Sequence, residues 1–129
     1  MAMWQPRKQT DDFDDVVERA LAEIPEAFRP YLENVSIEVH RRPDRSMARS
    51  VGLHDPRQLF GLYVGRPITR RSVEESGVLP DRVYLFQENL ERACRTTEEL
   101  RVEIRKTVLH EVGHHFGLNE DDLKRLGYG

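Results

Sequence analysis

The run His110-Glu111-Val112-Gly113-His114-His115-Phe116-Gly117-Leu118-Asn119-Glu120 constrains this chain more than any other stretch. His110 and His114 are four positions apart, so on a helix they lie one turn apart on one face. From there both imidazoles can reach a single metal ion at about 2.0–2.1 Å. Glu111 projects from a neighbouring strip of the helix. Its carboxylate can touch a water on the metal without displacing it. Gly117 can adopt the left-handed conformation that ends a helix. Beyond that turn Glu120 arrives with a carboxylate. A catalytic zinc takes three protein ligands and keeps one open position, and His110, His114 and Glu120 make up that number. Any fold this chain adopts must therefore carry a helix that ends at the metal and then turns sharply.

The surroundings of the motif support the same reading. From 107 to 118 the only charged side chain is Glu111, and Val108, Leu109, Val112, Gly113 and Phe116 surround most of the helix. A helix built for burial tolerates a carboxylate and imidazoles only when something offsets their desolvation, and a bound metal does so. A chance match on a solvated helix would carry charge on its remaining faces.

Upstream, Phe13, Val16, Val17, Ala20, Leu21 and Ile24 recur at helical spacing, predicting a helix capped by Thr10 and stopped by Pro25. A further helical turn is expected over 26–32. Val35, Ile37 and Val39 alternate with polar residues, so 35–41 reads as a half-buried strand. Residues 42–58 show little periodicity and read as a long surface loop. A second strand is expected over 59–64, a polar connection over 66–81 and a third strand over 82–86. A short helix follows at 89–94. Thr96 and Glu99 match a capping box opening a helix over 97–116, in which Leu100, Ile104, Val108 and Val112 form the apolar stripe. Asn119 reads as the cap of a last short helix, 120–126, ended by Gly127. The fold class expected is α+β: an N-terminal helix, a small twisted sheet of three to four strands, the motif helix packed on that sheet, and a short C-terminal helix. Residues 1–9 read as a flexible tail and 10–129 as one domain.

Composition narrows the function classes. Net charge is −3, which gives no overall pull toward nucleic acid. Residues 41–71 do carry Arg41, Arg42, Arg45, Arg49, Arg57, Arg66, Arg70 and Arg71 against two Asp. Without interleaved aromatics, that run reads as a solvated region or a rim attractive to acidic peptides. No stretch is long and apolar enough for a membrane span or a signal peptide. Cys94 is the single cysteine, so no internal disulfide can form, and a cytoplasmic location is expected.

The string H-E-x-x-H-x-x-G-x-x-E resembles the zincin superfamily of metallopeptidases. Metzincins usually place His at the third-ligand offset and have a Met-containing turn after the motif. This chain has an acid there, and its methionines, Met1, Met3 and Met47, all precede the motif. The closer resemblance is to small bacterial zincin-like metallopeptidases, sometimes described as minimal metalloproteases. It extends to Gly61-Leu62-Tyr63-Val64-Gly65, Leu79-Pro80-Asp81, Leu85-Phe86-Gln87-Glu88-Asn89-Leu90-Glu91 and Arg125-Leu126-Gly127-Tyr128, and so covers all but the first ten or so residues. The resemblance implies one zinc ion per chain, held by His110, His114 and Glu120, with Glu111 as general base. Asp is the acid associated with that ligand position. Glu120 is one methylene longer, and the neighbouring Asp121 stays open as the alternative.

The function expected is zinc-dependent peptidase activity, in which Glu111 takes a proton from a metal-held water that attacks the peptide carbonyl. The substrate would be a peptide or protein lying along a sheet edge, at 59–64 or 82–86. Only nine residues follow Glu120. The half of a zincin below the motif is then expected to be absent and the cleft open, with a partner as a possible completion. Two rivals remain: a zinc-stabilised binding module with little or no catalysis, and a metallohydrolase with a non-peptide substrate. His115 points about 100° away from His114 and is expected to pack or donate a hydrogen bond. His40 and His54 read as surface residues and Glu103 as solvated. Tyr63 and Tyr128 could donate to an oxyanion but pack more often. Cys94 reads as core.

Overall fold

The computed structural model describes residues 3–4, 12–65 and 80–126. Its elements in chain order are β1 (Met3–Trp4), α1 (Asp12–Ala22), a 3-10 helix (Glu26–Leu32), β2 (Val35–His40), α2 (Arg45–Ser50), a 3-10 turn (Pro56–Gln58), β3 (Gly61–Val64), β4 (Asp81–Phe86), α3 (Gln87–Ala93), α4 (Thr97–His115) and α5 (Glu120–Arg125). This is the α+β architecture read from the sequence. Thr10, most of the 66–81 connection, Gly127 and Tyr128 lie outside the described residues.

Four strands form one sheet in the order β1-β2-β4-β3. The first three strands in that order run parallel, and β3 runs antiparallel to β4. Residues 1–9, expected to be a loose tail, therefore contain a two-residue strand paired with β2. Arg82–Phe86, expected as one of two possible sheet edges, is interior. Both sides of β4 are taken, by β2 and by β3. Among the described residues, that leaves β3 as the edge strand beside the motif helix.

The core is sheet on helix. Val35, Ile37, Val83 and Leu85 are fully buried in one cluster with Leu100, Ile104, Val108 and Val112 of α4. Side chains four apart on α4 thus line the face laid on the sheet. Each such burial stabilises by about 1.5–3 kcal/mol. The α1 stripe of Phe13, Val16, Val17, Ala20 and Leu21 joins the same cluster. That helix ends at Ala22 rather than at 24. Pro25 disfavours helical geometry at the residue before it.

Residues 42–58 are not a plain loop. Asp44 caps α2 by accepting the Met47 N–H at 2.8 Å, and Asp55 accepts the Arg57 N–H at 3.0 Å to cap the next turn. A helix of six residues with one buried side chain, Ala48, leaves no periodic trace in sequence. The buried Asn89 amide donates to the carbonyls of Pro56 and Leu59 at 2.8 and 2.7 Å. It thereby fixes the chain as it enters β3, pairing the Leu59 carbonyl and adding a second donor to the Pro56 carbonyl, which also accepts the Leu59 N–H at 3.2 Å.

Candidate active site

Helix α4 carries the site, and its two ends are both specified locally. At the start, the Thr96 hydroxyl accepts the Glu99 N–H at 3.0 Å, and the Glu99 carboxylate reaches back to the Arg95 N–H at 2.8 Å. At the other end Gly117 has φ +75°, which a side chain would oppose. The Leu118 N–H donates to the Gly113 carbonyl at 2.8 Å and the Gly117 N–H to the His114 carbonyl at 3.1 Å. These are the two bonds of a Schellman ending. Asn119 then opens α5 with a reciprocal capping box to Asp122. The bend between the helices is therefore held by backbone bonds at the end of α4 and by side-chain to backbone bonds at the start of α5. Leu123 packs directly on Gly113, where an added Cβ would come within 2.9 Å of its side chain.

This bend brings Glu120 to the motif. Glu120 Oε1 lies 3.1 Å from His110 Nε2. A tetrahedral ion with bonds of about 2.0–2.1 Å spaces its ligand atoms roughly 3.3 Å apart, so the pair already stands at the separation of two ligands on one cation. His114 is exposed, and its ring lies parallel to that of His110 with centroids 5.9 Å apart. Among the described residues no three His, Cys, Asp or Glu side chains are drawn together into a closed metal-holding group. Two nitrogens and a carboxylate oxygen on adjoining turns still make a donor set of the zinc type. Asp121 is exposed at the next position of α5.

Glu111 sits between the two histidines and is partly buried. Burial pushes its carboxyl above the usual range. The hydrogen bond from the Tyr63 N–H and the nearby His114 and His110 pull the other way. Glu111 Oε1 accepts that Tyr63 N–H at 3.1 Å. The base candidate is thus held by the edge strand, a partner that sequence spacing does not reveal.

A cavity of about 330 Å³ opens beside the motif, walled by Gln58, Phe60 and Gly61 on one side and Glu103, Lys106, Thr107, His110 and Glu111 on the other. Glu103, expected to be solvated, lines this cavity and stands 3.9 Å from Lys106. Its signal was available in sequence, because 103, 106, 107 and 110 share one helix face. Gln58 and Phe60 carry no such signal; they arrive through the sheet.

The remaining candidates fall elsewhere. His115 stacks on Tyr63 and stands 3.8 Å from Asp81 Oδ2. Tyr63 donates its phenol proton to Asp81 at 2.6 Å. Burial and that carboxylate push the phenol well above its ordinary range. His40 packs on Tyr84 and faces Glu38 at 3.4 Å, and His54 is exposed. Cys94 is a half-buried free thiol whose ionisation burial disfavours, the reverse of what a nucleophile needs. Among the described residues no helix is long and apolar enough to cross a membrane.

Comparison with curated proteins finds no match. The family model for zincin-like metallopeptidases matches residues 32–129, which span the sheet, the motif helix and the bend that delivers Glu120, and the chain belongs to that family.

Proposed function

We propose that this protein is a zinc-dependent peptidase that hydrolyses peptide bonds with Glu111 as general base. The observation that carries the proposal is the placement of Glu111, partly buried between His110 and His114 and fixed through one oxygen by the Tyr63 N–H. His110, His114 and Glu120 would hold one zinc ion per chain. When bound, the metal supplies Lewis-acid activation of a water and of the peptide carbonyl. With Oε1 engaged by the strand, Oε2 of Glu111 is the oxygen that takes the water's proton and passes it to the leaving amine. Raised basicity suits that exchange, since a carboxyl nearer neutral pH both accepts and returns a proton readily.

The substrate is an extended peptide on the outer edge of β3. This edge runs past Glu111, and among the described residues the register partners of β3 lie on β4. A peptide added there pairs with outward-facing backbone groups of the edge strand other than the Tyr63 N–H, which Glu111 keeps, and one side chain enters the cavity between Gln58 and Lys106. A cytoplasmic setting agrees with a single free thiol and with the absence of any need for disulfides.

The test is cleavage of a diverse peptide library by zinc-loaded protein, by protein stripped with a chelator, and by stripped protein given zinc again. Cleavage that disappears with the metal and returns with it is the expected result. Cleavage indifferent to the chelator, or none under any loading, would exclude the proposal.

A further inference from the structure

The edge strand β3 touches α4 on both sides of Glu111. On one side the contact is at Gly61. A Cβ there would lie 2.5 Å from Thr107 Cγ2 and 3.7 Å from Glu111 Cγ, so strand backbone lies directly on the helix. On the other side the Tyr63 ring lies flat on His115, with centroids 3.9 Å apart and planes 11° apart. The phenol then reaches past the helix to Asp81 Oδ2 at 2.6 Å, the first residue of β4. His115 Nε2 stands 3.8 Å from the same oxygen.

Between these two contacts lies the Tyr63 N–H. Phe60 and Phe86 form a bonded pair at the start of the hairpin. Alternation along the antiparallel ladder then leaves Tyr63, opposite Val83, with its N–H turned away from β4. Such an edge donor ordinarily faces water or another strand. Here it meets Glu111 Oε1.

We propose that Asp81, Tyr63 and His115 form a brace that positions Glu111 by fixing the backbone of the edge strand at Tyr63. The brace rests on the reading of Glu111 as the base. A single backbone N–H holds a carboxylate only as firmly as its own strand is held, and β3 is four residues long at a sheet edge. The phenol-to-carboxylate bond is short and charge-assisted, so it is strong for a contact of its size. It also assigns the one phenol proton, which removes Tyr63 from the role of oxyanion donor. His115, which the motif leaves without a task, becomes the platform on which the Tyr63 ring rests. Tyr63, Asp81 and His115 are positioning residues, acting through Glu111.

Amide hydrogen exchange at Tyr63, read by NMR on the metal-free chain, tests the brace without any turnover. In the wild type this edge amide, bonded to Glu111, should exchange slowly. Tyr63→Phe keeps the ring on His115 but loses the bond to Asp81, and it should speed exchange at this amide about tenfold. Asp81→Ala should do the same, and the double variant should be no faster than either single one. Asp81→Asn, which keeps an acceptor for the phenol, should restore most of the protection. In zinc-loaded protein, Tyr63→Phe should lower kcat about tenfold with KM unchanged, and should add no loss in a Glu111→Gln background. Unchanged exchange in Tyr63→Phe and Asp81→Ala would overturn the brace, whatever the peptides show. A further kcat loss in the Glu111→Gln background would also overturn it. Exchange that responds as described in a chain that cleaves nothing supports the brace and counts against the peptidase reading alone.

Discussion

His110 Nε2 and Glu120 Oε1 stand 3.1 Å apart although they belong to different helices. The contact is a product of the bend between those helices. Gly117 at φ +75° ends α4, Asn119 opens α5, and Leu123 settles on Gly113. Glu120, the first residue of α5, then faces back toward the motif.

The pairing predicts which acid holds metal. Glu120→Ala should weaken zinc binding by at least about 100-fold, beyond what outer-shell partners usually contribute. Asp121→Ala should change it less than about threefold. Competition with a chromophoric chelator measures both. The reverse ranking would assign the metal to Asp121.

Glu111 should separate binding from chemistry. Glu111→Gln keeps the size of the side chain and an oxygen for the Tyr63 N–H. Zinc content should therefore stay near one equivalent, while peptide cleavage falls at least about 100-fold, the lower range of general-base catalysis. If the wild type cleaves nothing, and both proteins hold a peptide equally well, the chain is a binding module.

The same substitution should stabilise the metal-free fold, and the sign follows from proton linkage. Burial raises the folded-state pKa of Glu111 above its ordinary value of 4.5. Well above that folded pKa the carboxylate is ionised in both states and its desolvation counts against the fold. As pH falls through the folded pKa toward 4.5, the folded state takes up a proton first and the penalty is relieved. Gln carries no charge at any pH. Its advantage should be present at pH 7 and fade as pH falls through that window. Partial solvation limits it to roughly 1 kcal/mol or less. Thermal melts of stripped protein at pH 7 and pH 4 read the difference.

The parts of the site that follow the helical period were readable in advance. His110, Glu111 and His114 on one helix, the stripe of Leu100, Ile104, Val108 and Val112, and the caps at Thr96 and Asn119 all lie within a few residues of their partners. What escaped depends on contacts across the chain. Tyr63 meets Glu111 and Asp81 only because β3 pairs with β4 and lies on α4. The edge position of β3 follows from the strand order, which neither alternation nor turn residues encode. The short α2 escaped for a different reason: Ala48 is its one buried side chain, and one residue has no period.

Gly61 should be intolerant of even a methyl group. Its absent Cβ is the space that Thr107 Cγ2 fills, since an added carbon would stand 2.5 Å from that methyl and 3.0 Å from the Tyr84 carbonyl. Neither neighbour yields freely. Tyr84 is ladder backbone, and the Thr107 rotamer is fixed by its hydroxyl donating to the Glu103 carbonyl at 2.8 Å. Gly61→Ala should then cost about 1–3 kcal/mol, the usual scale of overpacking, and should push the strand from the helix beside Glu111. Thr107→Ser removes the obstructing methyl and keeps the hydroxyl for Glu103. The double variant Gly61→Ala/Thr107→Ser should therefore recover part of the lost stability, although Thr107→Ser alone opens a small void and costs something by itself. Chemical denaturation of the four proteins forms a double-mutant cycle. A favourable coupling of at least about 0.5 kcal/mol is expected. Full additivity would mean that the strand and helix do not meet at this point, and that Glu111 is not confined from this side.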